Sequence, residues 1–162
     1  MRAVTLLFPV DLEARCVLLG LKKTGFGTGK IVGIGGGIEA GETPAEAAVR
    51  ELLEETGLVV RLEDLRSAGH LQFQFSARPQ WDMDVQLFTT QTWRGEAVET
   101  EEIIPEWHSL EALPWEGMWA DGKYWLLEVL TGGTLDATCI YAADHATVHS
   151  FTSAPLKDAA NP

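Results

Sequence analysis

The chain has 162 residues, 46% of them hydrophobic, which is enough for one domain with a core of its own. Its formal net charge is −12, from 24 acids against 12 lysines and arginines. Such a field repels a nucleic-acid backbone, so no direct nucleic-acid binding is expected, and with no run of about 18 apolar residues neither is a membrane span or membrane partner.

Residues 3–10 (AVTLLFPV) and 15–21 (RCVLLGL) read as strands joined by the polar turn DLEA. The opening MRAVTLLFPVDLEARC has no small-residue cleavage site, and Asp11 interrupts its apolar run, so it does not read as a signal peptide. Cys16 and Cys139 sit in apolar, strand-like surroundings and read as buried free thiols. A cytoplasmic location is the resulting expectation.

Residues 22–37 hold seven glycines, which predicts a loop with a short strand near 30–34. GTGKI fails as a P-loop because Thr24 and Ile31 stand where glycine and Ser/Thr are needed, and GIGGGI misses the dinucleotide fingerprint at Ile38. A helix over about 43–55 follows. Strands are predicted near 58–62, 68–76, 83–92 and 103–109, with Leu71, Phe73 and Phe75 on one face of the second and Gln72 and Gln74 on the other. A second helix is predicted over 121–130, stopped by Gly132-Gly133, and LDATCIYAA and TVHSFTS read as a closing hairpin. Residues 155–162 read as a frayed tail. The fold class is one α/β domain with a mixed sheet.

The predicted first helix is sharply bounded. Thr43-Pro44-Ala45-Glu46 is a capping box with proline at the first helical position, and Gly57 is placed for a left-handed cap. On a helical wheel Ala45, Ala48, Val49 and Leu52 form the core stripe, with Leu53 at its edge. Glu51, Glu54 and Glu55 share another sector within about 100°, so each carboxylate has a like-charged neighbour. Taken alone, these acids also fit a solvated face. As a cluster of oxygen donors they suit Mg²⁺, with Mn²⁺ as the substitute. Arg50 can pair with Glu42 or Glu54 and hold the acids in place. Glu42 lies near the helix N-terminus, where negative charge is favoured, and Gly35-Gly36-Gly37 lets the backbone approach a ligand. His70, His108, His145 and His149 have no metal-ligand spacing.

Gly36, five residues, Glu42, seven residues, then Arg50-Glu51-Leu52-x-Glu54-Glu55-x-Gly57-Leu58 match the Nudix box at every defined position. A chance match is rarer than about one in a million. The chain resembles the Nudix hydrolases. VLLGLKKTGFGTGKIVGIGGGIEAGET, ETEEIIPEW and GMWADGKYWL are further similar to the mammalian-type MutT homologues, which clear oxidised purine nucleoside triphosphates. The resemblance implies a single Nudix domain over 1–162, an α/β/α sandwich with the box as loop–helix–loop. It implies a small-molecule nucleotide substrate and a chain that is a monomer or weak homodimer.

Residue by residue, the resemblance assigns metal binding to Glu51, Glu54, Glu55, Glu102 and the Gly35 carbonyl. Catalytic roles fall on Glu51, Glu54 and Glu102, with Arg50 orienting the acids, Gly36, Glu42 and Gly57 supporting the motif, and the identity of the general base left open. For the substrate it points to Thr5, Lys22, Val32, Phe73, Trp119 and Asp121. Phe73 also fits the core, and one of Trp119 and Trp125 serves packing alone. Val32 replaces an asparagine of these enzymes, and Gly122 replaces a second aspartate, so two base-binding groups are missing. The implied reaction is Mg²⁺-dependent hydrolysis of 8-oxo-dGTP or 2-oxo-dATP to the monophosphate and pyrophosphate, sanitising the nucleotide pool. Two other readings remain: the same fold acting on dinucleoside polyphosphates or nucleotide sugars such as ADP-ribose, and a non-catalytic nucleotide-binding module.

Overall fold

The structure, a computed structural model, describes residues 1–154. The tail expected to fray lies outside the described residues. Nine strands among them form a mixed sheet: β1 (Arg2–Asp11), β2 (Cys16–Lys22), β3 (Ile31–Val32), β4 (Ile34–Gly37), β5 (Leu65–Phe75), β6 (Met83–Thr90), β7 (Ile103–Ser109), β8 (Leu135–Tyr141) and β9 (Val148–Ala154). The order is β3-β2-β1-β6-β5-β8-β9, with β4 on β1 and β7 on β2. β1 is the hub. It runs parallel to β6 from Arg2 to Pro9, pairs antiparallel with β4 through Val4–Leu7, and reaches β2 only at Val10 and Asp11.

Alternation along β1 divides the core. Leu7 points to one face, where Leu18, Ile34, Phe88 and Ile103 meet Ala48 and Leu52 of helix α1 (Pro44–Thr56). Val4, Phe8 and Val10 point to the other, toward Leu71, Phe73, Phe75 and helix α2 (Leu126–Leu130). The result is the expected sandwich of helix, sheet and helix. Arg66 closes the far end of α2: Nη2 donates to the Val129 carbonyl at 2.9 Å, and Nη1 to Gly133 at 3.1 Å.

Three expectations need correction. Residues 58–62 are not a strand. Val59 makes one bridge to Arg94, and Leu62–Asp64 is a turn of 3-10 helix. Leu58 and Val60 are buried while Val59 and Leu62 are exposed, and the two buried side chains anchor a loop beneath α1. The second helix is split. Gly122–Tyr124 is a 3-10 turn, and α2 begins only at Leu126, because the Trp125 indole reaches back to Asp121. The stripe of α1 is rotated: Ala47, Ala48, Leu52, Glu55 and Thr56 are buried, Ala45 and Val49 are half-buried, and Leu53 is exposed. The rotation carries Glu55 inward. Both cysteines are free thiols; Cys139 is buried and Cys16 half-buried.

Candidate active site

The box helix begins as its sequence dictates. Thr43 Oγ1 accepts from the Glu46 amide at 3.1 Å, and Glu46 Oε1 accepts from the Thr43 amide at 3.3 Å. Gly57 ends the helix at φ 83°, its amide donating to the Leu53 carbonyl.

Arg50 organises the acids. Its Nη2 and Nε donate to the two Glu42 carboxylate oxygens at 2.6 and 3.0 Å, a bidentate pair. Nη1 donates to Glu51 at 2.9 Å and to Glu54 at 3.3 Å, and Nη2 also reaches the Gly37 carbonyl at 3.1 Å. The guanidinium holds the Glu42 carboxyl below its ordinary range. Gly36 completes the arrangement: a Cβ there would lie 2.6 Å from the Glu51 carboxylate, so the acid occupies the space a side chain would fill.

Glu51, Glu55 and Glu102 each offer an oxygen within 4.8 Å of the others. The third arrives from far along the chain. Thr100 Oγ1 donates to the Glu55 carbonyl at 2.9 Å, and the Thr100 amide donates to the Ile103 carbonyl. These two bonds fold the segment before β7 so that Glu102 faces the helix end. Crowding shows in the titration. Burial raises the Glu51 carboxyl despite the Arg50 partner, with Glu54 and Glu102 adding repulsion. Burial, then Glu51 and Glu102, push the Glu55 carboxyl up to about 8, opposed by the Gly35 amide that donates to it. Three converging carboxylates with an excess of negative charge and hard oxygen donors fit a divalent cation. Glu54 is not among them. It is 55% exposed and turned toward Arg50 one helical turn earlier.

A cleft runs from this triad across the sheet. Gly35, Gly36, Glu55 and Glu102 lie at one end and Phe73, Trp119 and Asp121 at the other, over a floor of Val4, Leu6 and Phe8. Lys22, Val32 and Gly122 also line it, so both substituted positions face the cleft. Thr5 does not. It belongs to the opposite parity of β1, where it is fully buried, its hydroxyl without a partner among the described residues. Phe73 serves both expected roles, core and wall. Trp119 is the cleft's half-buried aromatic wall, stacked on Phe26 at 5.4 Å and 12°. Trp125 is 5% exposed and donates its indole N–H to Asp121 Oδ2 at 2.7 Å. Asp121 is itself 3% exposed.

Among the cleft residues that escaped the sequence reading are Phe26 and Tyr141. Phe26, alone among glycines in TGFGTGK, carried a signal, since an aromatic on so bare a loop has to pack against something. Tyr141 carried none, because only the parallel register of β8 with β5 sets it opposite Phe75.

The model of the NUDIX domain matches residues 1–129. The chain belongs to the Nudix family. This Nudix hydrolase is 43% identical over 114 residues to the oxidized purine nucleoside triphosphate hydrolase of Mus musculus, covering 70% of this chain and 71% of that one. It is 44% identical over 109 residues to the protein of the same name from Danio rerio, covering 67% and 68%. Among solved structures, the mutator MutT protein of Bacillus halodurans superposes with a TM-score of 0.78 at 26% identity, over 94% of this chain and 97% of that one. Nudix hydrolases act on small nucleotides with divalent metals, and the glutamate cluster accords with that. No helix among the described residues is long and apolar enough to cross a membrane.

Proposed function

We propose that this Nudix hydrolase cleaves oxidised purine nucleoside triphosphates, such as 8-oxo-dGTP or 2-oxo-dATP, to the monophosphate and pyrophosphate and so cleans the nucleotide pool. The observation that carries this reading is the continuity of one cleft, with a carboxylate triad at one end and an aromatic slot holding a buried aspartate at the other. Phe73 and Trp119 suit a flat base. The mouse and zebrafish relatives bear the name of this activity.

Glu51, Glu55 and Glu102, with the Gly35 backbone, are the groups that would hold Mg²⁺ (or Mn²⁺). The cation would screen the polyphosphate, acidify water and stabilise charge developing on the phosphate oxygens. Arg50 holds Glu42, Glu51 and Glu54 in register, and Lys22 supplies positive charge along the cleft wall. Hydrolysis adds one water across a phosphoanhydride bond, and the proton released passes to a glutamate of the cluster. We further propose that residues 1–162 act as one domain, in the cytoplasm, as a monomer or weak homodimer.

A steady-state panel of 8-oxo-dGTP, 2-oxo-dATP, dGTP and dATP with Mg²⁺ tests the reading; it fails if no triphosphate is turned over. Val32 and Gly122 remove polar groups from the base end, which favours a second reading in which the dinucleoside polyphosphates or nucleotide sugars are the substrates. Faster cleavage of diadenosine polyphosphate or ADP-ribose than of any triphosphate would select it.

A further inference from the structure

We infer that Tyr141 is a positioning and specificity-determining residue: with Trp125 it fixes Asp121 as a hydrogen-bond acceptor, so that the cleft selects purines presenting two neighbouring N–H donors. This rests on the reading that the aromatic end of the cleft holds a purine base.

The Asp121 carboxylate is gripped from both sides. An indole N–H can only donate, so Oδ2 accepts from Trp125 at 2.7 Å. The Tyr141 hydroxyl lies 2.5 Å from Oδ1, and the same hydroxyl oxygen accepts the Asp121 amide at 3.1 Å. With that lone pair engaged, the hydroxyl proton is directed to Oδ1. Tyr141 is 1% exposed and stacked on Phe75 at 5.2 Å and 9°, so the phenol has little freedom to turn away.

A carboxylate offers about four lone-pair directions. Trp125 and Tyr141 occupy one on each oxygen, and the remainder are available to the cleft that Asp121 lines. The titratable groups set against Asp121 are Tyr141 and Cys139, both on β8, and neither brings positive charge. No lysine or arginine pairs with it among the described residues. Burial, the largest influence, raises the Asp121 carboxyl, while the two donors and its own backbone amide work the other way. A base edge with two adjacent N–H groups supplies the donors still lacking. Guanine has such an edge, N1–H beside the 2-amino group. Hypoxanthine offers the N1–H alone, and adenine an amino group beside a ring lone pair. Either leaves a buried acceptor poorly paired.

Guanosine and inosine monophosphates differ only in the 2-amino group, so their binding measures the selection without turnover. Calorimetric titration is expected to give about tenfold tighter binding of the guanosine compound to the wild type. Tyr141→Phe keeps the ring and its stack but removes the donor. The ratio should fall to about twofold, and the acid limb of guanosine monophosphate affinity should move to higher pH, because the charged carboxylate has lost a partner. Trp125→Phe, removing the other donor, should narrow the ratio in the same sense and provides the reading if Tyr141→Phe does not fold. An equal affinity for the two nucleotides in the wild type overturns the inference. So does an unchanged ratio and pH limb in Tyr141→Phe, or, should that variant fail to fold, in Trp125→Phe. A protein that separates the two monophosphates yet hydrolyses no triphosphate refutes the proposed reaction and leaves this inference standing; the reverse outcome does the opposite.

Discussion

The two ends of the cleft are built differently. The acid end is assembled from charge, with Arg50 spanning Glu42, Glu51 and Glu54 while Glu51, Glu55 and Glu102 crowd together. The proposed base end is assembled from packing, with Phe73, Tyr141 and Trp125 nearly or fully buried around one aspartate. Charged groups in mutual repulsion are costly to a fold, whereas packed aromatic rings support it. Substitutions at the acid end should therefore strike activity first, and those at the base end should strike selectivity or stability.

The largest effect is expected from Glu55→Gln, which removes one member of the triad and relieves the crowding. Its kcat should fall about a thousandfold or more while the melting temperature holds or rises; steady-state rates and a thermal melt decide it. Arg50→Ala comes next. It strands Glu42 and Glu51 without their partner, so kcat should fall at least tenfold and the melting temperature by about 5 °C. Here the acid end affects both quantities, which sharpens the contrast with Glu55. Gly36→Ala would set a Cβ against the Glu51 carboxylate and displace it, with a loss in kcat of about tenfold and only a small change in stability.

The pH dependence of the metal-free protein probes the same crowding more gently. The Glu55 carboxyl titrates near 8 in the fold against 4.5 when free. An acid whose folded pKa is raised contributes stability fully below its unfolded pKa and loses that contribution as pH rises toward the folded value. Metal-free protein should therefore lose stability between pH 4.5 and 8, and Glu55→Gln should flatten that slope in denaturant titrations. The smallest effect on turnover is expected from Gly122→Asp. Its Cβ would meet Trp115 and Met118 at 3.4–3.8 Å, but Gly122 is buried beside Asp121, so the added carboxylate should lower stability by about 1–3 kcal/mol. The KM for oxidised purine triphosphates should shift a few-fold, measurable beside the wild type in the same panel.

The same contrast explains what could be read in the sequence. The acid end is local: a capping box, a glycine cap and acids one turn apart lie within a single helix, so its bounds and the approach of Glu51 to Glu55 followed from spacing. Even there, Glu54 was expected among the metal ligands, but its pairing with Arg50 turns it outward. The base end depends on register. Thr5 was placed on the cleft side, yet the parity of β1 is set by Val4, Leu6 and Phe8, which no local pattern reveals among so many apolar neighbours. Asp121 was found through its motif, but its grip by Tyr141 depends on a strand pairing across the sheet. Residues 58–62 were read as a strand, but an apolar run with only Leu58 and Val60 buried serves an anchored loop equally well.

Glu54 and Glu55 stand in the final turn of α1, which contains no lysine, arginine or histidine. The helix macrodipole gathers partial negative charge at that end, where a cation is favoured. This helix leaves the position open. The backbone itself thus adds to the pull on any positive ion reaching the triad.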